Sequence, residues 1–226
     1  MSQQMALLSS ILLVPGGFFA LAVGLALKGA DRRFAARLQG RVGPPLAQPV
    51  FDLVKLGFKR TMVPLTATSQ FLFLVTPLVA LVSMLYAAAL IPIPGLPTPA
   101  PELGNLLVLV YLLAVPGVAL MVAGSASGST YGAIGFSREM ALMLAYEGPL
   151  VLVVAAVAMR TGAADGQIVT FSLTEIVRHQ QLHGANLFDP VLWPALLAFV
   201  FFYPANLGIV PFDIPEAETA VLEGPL

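Results

Sequence analysis

The sequence predicts an all-α integral membrane protein with about five transmembrane helices, a cytoplasmic amphipathic helix and an acidic cytoplasmic segment. Three observations predict it. Hydrophobic residues make up 58% of the 226 residues and charged residues 10%. A soluble domain carries about 25% charged residues, so this chain has too little charge to cover itself in water. Mean hydropathy is +0.89. The apolar residues also fall in blocks of the roughly 17–25 residues that a helix needs to cross the hydrocarbon core.

The blocks are Met5–Leu27, Phe71–Ile93, Leu106–Gly124, Met140–Met159 and Val191–Val210. Only Met140–Met159 contains a charged residue, Glu147. Pro15 and Pro116 lie inside blocks and should kink their helices, which neighbouring helices tolerate. Met1–Gln4 carry no charge, and the basic residues follow the first block instead of preceding it. That order suits a retained anchor, not a cleaved signal.

Orientation follows from the basic residues. The chain has 11 Lys and Arg, and Lys28, Arg32, Arg33, Arg37, Arg41, Lys55, Lys59 and Arg60 all lie between the first two blocks. This connection is therefore expected on the cytoplasmic side. Alternation places 94–105 outside, 125–139 inside, 160–190 outside and everything after Val210 inside. The basic loop and the acidic C-terminal segment then share one face.

The loops carry further local signals. The outer loop before Glu102 is rich in proline and should be stiff. In the longer outer loop, Ser172-Leu-Thr-Glu175 has the spacing of a capping box, which starts a short surface helix running through His183. His179 and His183, four apart, could share a face as metal ligands, but two solvated histidines is the preferred reading. The Gly-Ser-Ala-Ser-Gly run at 124–128 suits either close helix packing or a flexible helix end. There are no cysteines and 2 histidines. Thiolate-held clusters, cysteine zinc sites and disulfides are thereby excluded from this chain, and any redox reaction it serves belongs to a partner.

Four features can carry chemistry. Glu147 lies inside a span, where an ionisable group costs about 2.5–3.5 kcal/mol on insertion scales and is expected to be functional. The functional reading is a proton-carrying site, and the plain one is a protonated acid bonded to a neighbouring helix. Arg138 and Glu139 stand at the cytoplasmic entry to the same helix. Glu139 is eight residues from Glu147, about 12 Å of rise, so proton passage between them needs an intermediate water or carboxylate. Pro211-Phe-Asp-Ile-Pro-Glu-Ala-Glu-Thr-Ala-Val-Leu-Glu223 gathers Asp213, Glu216, Glu218 and Glu223. It is either a capped, solvated helix start or a half-buried site in which clustered carboxylates hold protons near neutral pH. Finally, Gly40 to Lys59 reads as a turn and an amphipathic helix, with Asp52, Lys55 and Lys59 on the polar face and Phe51, Val54 and Leu56 or Phe58 on the other. Lipid surface and protein docking both fit that pattern.

These motifs, in this order, resemble one family: the quinone-module membrane subunit of respiratory complex I and its counterpart in group 4 membrane-bound nickel–iron hydrogenases such as formate hydrogenlyase. Three segments carry the resemblance. They are Arg41-Val-Gly-Pro-Pro-Leu-Ala-Gln-Pro-Val-Phe-Asp-Leu-Val-Lys55, Arg138-Glu-Met-Ala-Leu-Met-Leu-Ala-Tyr-Glu147 and Pro211-Phe-Asp-Ile-Pro-Glu-Ala-Glu218. The short stretch Gly43-Pro-Pro-Leu-Ala-Gln48, Glu139 directly after Arg138, and Tyr-Glu-Gly-Pro at 146–149 lean toward the hydrogenase branch. Two departures stand out: Ala220 occupies a place where relatives often carry an acid, and the chain stops at Leu226, where relatives continue through further membrane helices.

The resemblance implies a non-redox anchor and coupling subunit beneath a soluble redox arm, linking electron transfer to proton or sodium translocation. Glu139, Glu147, Asp213, Glu216, Glu218 and Glu223 would couple ions. Arg41, Gln48, Asp52, Lys55, Lys59, Arg138 and Tyr146 would dock or support the arm. It implies no cofactor on this chain. A nickel–iron centre and iron–sulfur clusters would sit in partners: soluble hydrogenase-like large and small subunits, iron–sulfur subunits and antiporter-like membrane subunits. The lipid bilayer is the other partner, nucleic acid is not one, and the expected location is a bacterial or archaeal cytoplasmic membrane. Three alternatives differ in kind. One is a complex I subunit at a quinone site, one a passive anchor, and one a free-standing proton-coupled secondary transporter. Transporters often show repeated halves, and this sequence shows none.

Overall fold

A computed structural model of the chain describes residues 12–13, 16–60, 62–65, 67–92, 104–164, 166, 168–209 and 212. Seven α-helices run through them: α1 Gly17–Leu38, α2 Gln48–Gly57, α3 Gln70–Leu90, α4 Leu106–Ala126, α5 Thr130–Ala164, α6 Leu173–His183 and α7 Trp193–Asn206. Helices α3, α4 and α5 are each long and apolar enough to cross a membrane. The apolar stretch Pro190–Asn206, which contains α7, is shorter. The chain is an all-α, multi-pass membrane protein.

The core is a layered bundle in which α4 packs against α3 and α5, and α5 packs against α7. Small side chains set these approaches. A Cβ on Gly132 would meet the Gly124 carbonyl oxygen at 2.3 Å. The 124–128 run therefore serves close packing: helix α4 continues to Ala126, and the Ser127 hydroxyl donates to Gly124 O at 2.6 Å. Prolines 77, 116, 149 and 204 sit inside helices, and only Pro116 among them is anticipated from the sequence. In α3 the Thr76 and Ser83 hydroxyls are buried and bond back to the helix's own carbonyls.

Several elements differ from expectation. The basic connection after the first block is mostly helix, because α1 runs on through Lys28, Arg32, Arg33 and Arg37 to Leu38. The loop expected at 125–139 shrinks to a turn, since α5 begins at Thr130 and is 35 residues long. At 1.5 Å per residue that is about 52 Å, well beyond the roughly 30 Å hydrocarbon core, so α5 projects from it. The surface helix α6 forms as expected, but without a capping box. Ser172 pairs with the Thr174 hydroxyl at 2.8 Å, and Glu175 accepts from Thr170. The N-termini of α4 and α6 are instead joined by backbone bonds, Leu106 N–H to Phe171 O at 2.7 Å and Leu173 N–H to Gly104 O at 2.8 Å. The Ser172 N–H, which the box would have bonded to Glu175, reaches the Thr170 hydroxyl at 3.4 Å instead.

Candidate functional site: the glutamates of the long helix

Helix α5 carries the central group. Glu139, Tyr146 and Glu147 lie on it in order, with Tyr146 seven residues after Glu139. Seven residues are nearly two full turns, so Tyr146 stands over the Glu139 face. Tyr146 is buried, while Glu139 and Glu147 are half-buried. Glu139 faces α4, where its Oε1 lies 3.9 Å from the place a Gly117 Cβ would occupy. Glu147 has no hydrogen bond or ion pair to any described residue. On its other side Tyr146 lines a cavity of about 10 Å³ with Leu150, Phe199, Phe202, Tyr203 and Asn206. That is near the minimum volume for one water. Tyr203 and Asn206 are polar groups that the sequence does not single out. They sit in a block that reads as plain span, and only packing against α5 reveals them.

Arg138 is exposed at the same end of the helix. Asp213, Glu216, Glu218 and Glu223 lie outside the described residues, so their relation to Glu139 belongs to the proposal below. Among the described residues no three His, Asp or Glu side chains gather into a metal-sized group.

The basic segment folds as a hairpin of α1 and α2. Gly29 is buried, and a Cβ there would meet the Leu46 carbonyl oxygen at 2.3 Å. The connecting loop can therefore lie directly on α1. Arg32 reaches Asp52 at 3.0 Å, and the Gln48 amide donates to the other Asp52 oxygen at 3.1 Å. The Gln48 amide and the Arg32 guanidinium together hold the Asp52 carboxyl below its ordinary range. Asp52 therefore clasps the hairpin as well as lying on a polar face. Arg32, twenty residues earlier, gives no periodic signal that could have revealed the pair. Lys55 is exposed on α2, but Lys59 lies beyond its end at Gly57, so the expected polar row of three is two residues of helix and one of tail. Arg41 is exposed in the loop. Phe51 and Phe58 are 61% and 86% exposed, which leaves the apolar face of this hairpin uncovered.

The opposite end of α5 is also polar. Arg160 pairs with Asp189 at 2.5 Å, and Asp189 accepts from the Val191 N–H at 3.0 Å. The guanidinium and this backbone bond lower the Asp189 pKa. His179 and His183 stack with ring centroids 4.5 Å apart. Contrary to the solvated reading, His179 is buried, because α6 folds back onto the end of α5.

A family model described as NADH dehydrogenase matches residues 10–226. The chain belongs to the NADH dehydrogenase family. Within it, the chain is 34% identical over 205 residues to formate hydrogenlyase subunit 4 of Escherichia coli K12, covering 91% of this chain and 64% of the relative. It is 32% identical over 202 residues to an NADH-quinone oxidoreductase subunit of Orientia tsutsugamushi strain Ikeda, covering 86% and 56%. The figures for the same NADH-quinone oxidoreductase subunit of Rubrobacter xylanophilus are 30% over 220 residues, 92% and 62%. The chain thus spans somewhat more than half the length of these relatives. The fold is similar to a chain of the membrane-bound sulfane sulfur reductase, an archaeal respiratory membrane complex, with a TM-score of 0.78 and 30% identity over 100% of this chain and 69% of that one. The resemblance read from Arg41–Lys55, Arg138–Glu147 and Pro211–Glu218 is borne out in both branches.

Proposed function

We propose that this chain is the membrane-anchor and coupling subunit of an energy-converting oxidoreductase complex, most closely of the membrane-bound nickel–iron hydrogenase kind. It converts charge changes in a soluble redox arm into proton or sodium movement. Glu147 carries the reading: an ionisable side chain without an ion pair among the described residues, on a helix that spans the bilayer and continues to Glu139. Placing such a group in a span is costly, so a functional role is its default reading. The buried Tyr146 lies on the same helix, between Glu139 and Glu147 in sequence. Asp213, Glu216, Glu218 and Glu223 extend the acidic route on the cytoplasmic side. Arg41, Gln48, Asp52, Lys55, Lys59 and Arg138 support docking of the arm, with the uncovered Phe51 and Phe58 face as its apolar contact.

The electrons run through nickel–iron and iron–sulfur centres held by the companion subunits. The complex lies in a bacterial or archaeal cytoplasmic membrane, with five spans and the basic hairpin inside. Complex I membership at a quinone site is the second reading, favoured by the similarity to the two NADH-quinone oxidoreductase subunits.

Affinity isolation of the chain from its native membrane tests the assignment. The result expected is co-purification of nickel–iron and iron–sulfur subunits. NADH- and quinone-handling subunits would move the assignment to the second reading. A stable chain with no companions would overturn both and favour a free-standing transporter. Orientation has its own test. A cysteine placed at the exposed Leu38 of this cysteine-free chain is expected to react with an impermeant label only from the cytoplasmic side. Labelling from outside would invert the topology.

A further inference from the structure

The end of α5 away from Glu139 carries two cavities that meet. One is polar, about 420 Å³, and lined by Arg160, His179, His183, Asn186 and Asp189 among others. The other is an apolar trough of about 560 Å³, within the roughly 300–1,000 Å³ of small-ligand sites. Asn186 lines both. The surface helix α6 separates them by face, with Ile176, Val177 and Gln180 on the trough and His179 and His183 on the polar cavity.

The depth of each cavity is fixed by α5. Arg160 directly follows the apolar stretch that ends at Met159, and Trp193 and Phe188 are exposed at the same end. Basic and aromatic side chains so placed mark the headgroup level. From there the trough descends α5 through Val157, Val154 and Val153 to Leu150. Ten residues from Arg160 to Leu150 are about 15 Å, half of the roughly 30 Å hydrocarbon core. The trough therefore has the depth of one leaflet.

Charge completes the pattern. Arg160 and Asp189 place a fixed cation beside a fixed anion, and the exposed His183, whose Nδ1 lies 3.3 Å from the His179 carbonyl oxygen, stands in the same cavity. His179 lines the same cavity, and its Nδ1 is buried without a hydrogen-bond partner among the described residues. A buried polar atom of this kind calls for a partner such as a water or an ion.

We propose that this end of the bundle holds one zwitterionic phospholipid. Its phosphate lies toward Arg160 and His183, its ammonium toward Asp189, and one acyl chain fills the trough between α4, α5, α6 and α7. The assignment is independent of the coupling role, since it requires only that the chain spans a bilayer.

The test uses the protein with its native companions, extracted into polymer-bounded native-membrane discs and exchanged into mild detergent. Lipids retained are then weighed by native mass spectrometry. The result expected is one phosphatidylethanolamine per chain. His183→Ala, which alters the head site, and Val157→Trp, at a half-buried position that lines the trough, are each expected to lower retention about tenfold while leaving helix content unchanged. A photo-crosslinking side chain at Val177 is expected to give a lipid adduct. Unchanged retention in both variants would overturn the site. A polypeptide adduct from position 177 would assign the trough to an apolar helix of a neighbouring subunit instead. Equal retention of phosphatidylglycerol, which lacks the ammonium, would overturn the role given to Asp189.

Discussion

The carboxylates at the two ends of the bundle differ from the one in its middle. Asp52 and Asp189 each hold an arginine, at 3.0 and 2.5 Å, and each accepts a further hydrogen bond. Both bind segments together: Asp52 closes the α1–α2 hairpin, and Asp189 ties the segment before α7 to the end of α5. Glu147 has neither kind of partner among the described residues, although the same chain can place arginines accurately elsewhere. A carboxylate whose role was structural would be expected to gain most from pairing inside the bilayer, where an isolated charge is costliest. The difference separates side chains that tie segments of the fold together from one that has no such tie among the described residues, which is the contrast the proposed coupling role of Glu147 builds on.

That separation can be broken from the structural side first. Gly29→Ala drives a methyl into the Leu46 carbonyl. It is expected to destabilise the hairpin by about 1–3 kcal/mol, the usual range for overpacking. Proteolysis at 39–47 in detergent would detect it, and wild-type resistance would show that the loop does not rest on α1.

Asp189→Ala comes next in size. It removes the partner of Arg160 and the acceptor of the Val191 N–H, and should lower the melting temperature by a few degrees without changing ions moved per turnover. A change in coupling with unchanged stability would place Asp189 in the same class as Glu147.

Asp52 and Lys55 divide what the sequence treats as a single polar face. Asp52→Ala opens the Arg32 clasp and is expected to loosen α2 only slightly, because both partners are 43% exposed and exposed pairs contribute little. Lys55→Ala leaves the clasp intact. It should reduce retention of companion subunits alone, and full retention would leave α2 as a lipid-surface element. The clasp also has a pH signature. Its folded-state pKa lies below the ordinary 3.8. Its contribution is therefore fully present above that value and disappears as pH falls through the lower folded-state value. Hydrogen exchange of α2 should be flat from pH 7 to about pH 4 after correction for intrinsic rates, and should rise only at more acid pH.

Much of this could be read from the sequence, for identifiable reasons. Apolar blocks at 71–93, 106–124 and 140–159 coincide with α3, α4 and α5 to within a few residues at most of their ends, because hydrophobic length is a one-dimensional signal. The helical start at Thr130 is not legible in the same way. Residues 130–139 carry serine, glycine and charge, and the sequence alone cannot show that Gly132 seats against Gly124. Glu139 and Glu147 are legible as charge out of place. Arg32–Asp52 and Arg160–Asp189, separated by 20 and 29 residues, are not, since no periodicity joins them. The burial of His179 depends on α6 folding back onto α5, which no local motif announces.

The central claim is that Glu147 changes charge during turnover, and one variant addresses it directly. Glu147→Gln keeps the size and hydrogen-bonding reach of the side chain but cannot ionise. In vesicles containing the assembled complex, ion uptake is measured beside substrate turnover. The account predicts intact assembly, unchanged melting temperature and a fall of roughly tenfold or more in ions moved per turnover, with turnover itself slowed where the two are tightly linked. Normal ion uptake per turnover in Glu147→Gln would contradict it, and would leave Glu147 a polar side chain tolerated within an anchoring helix.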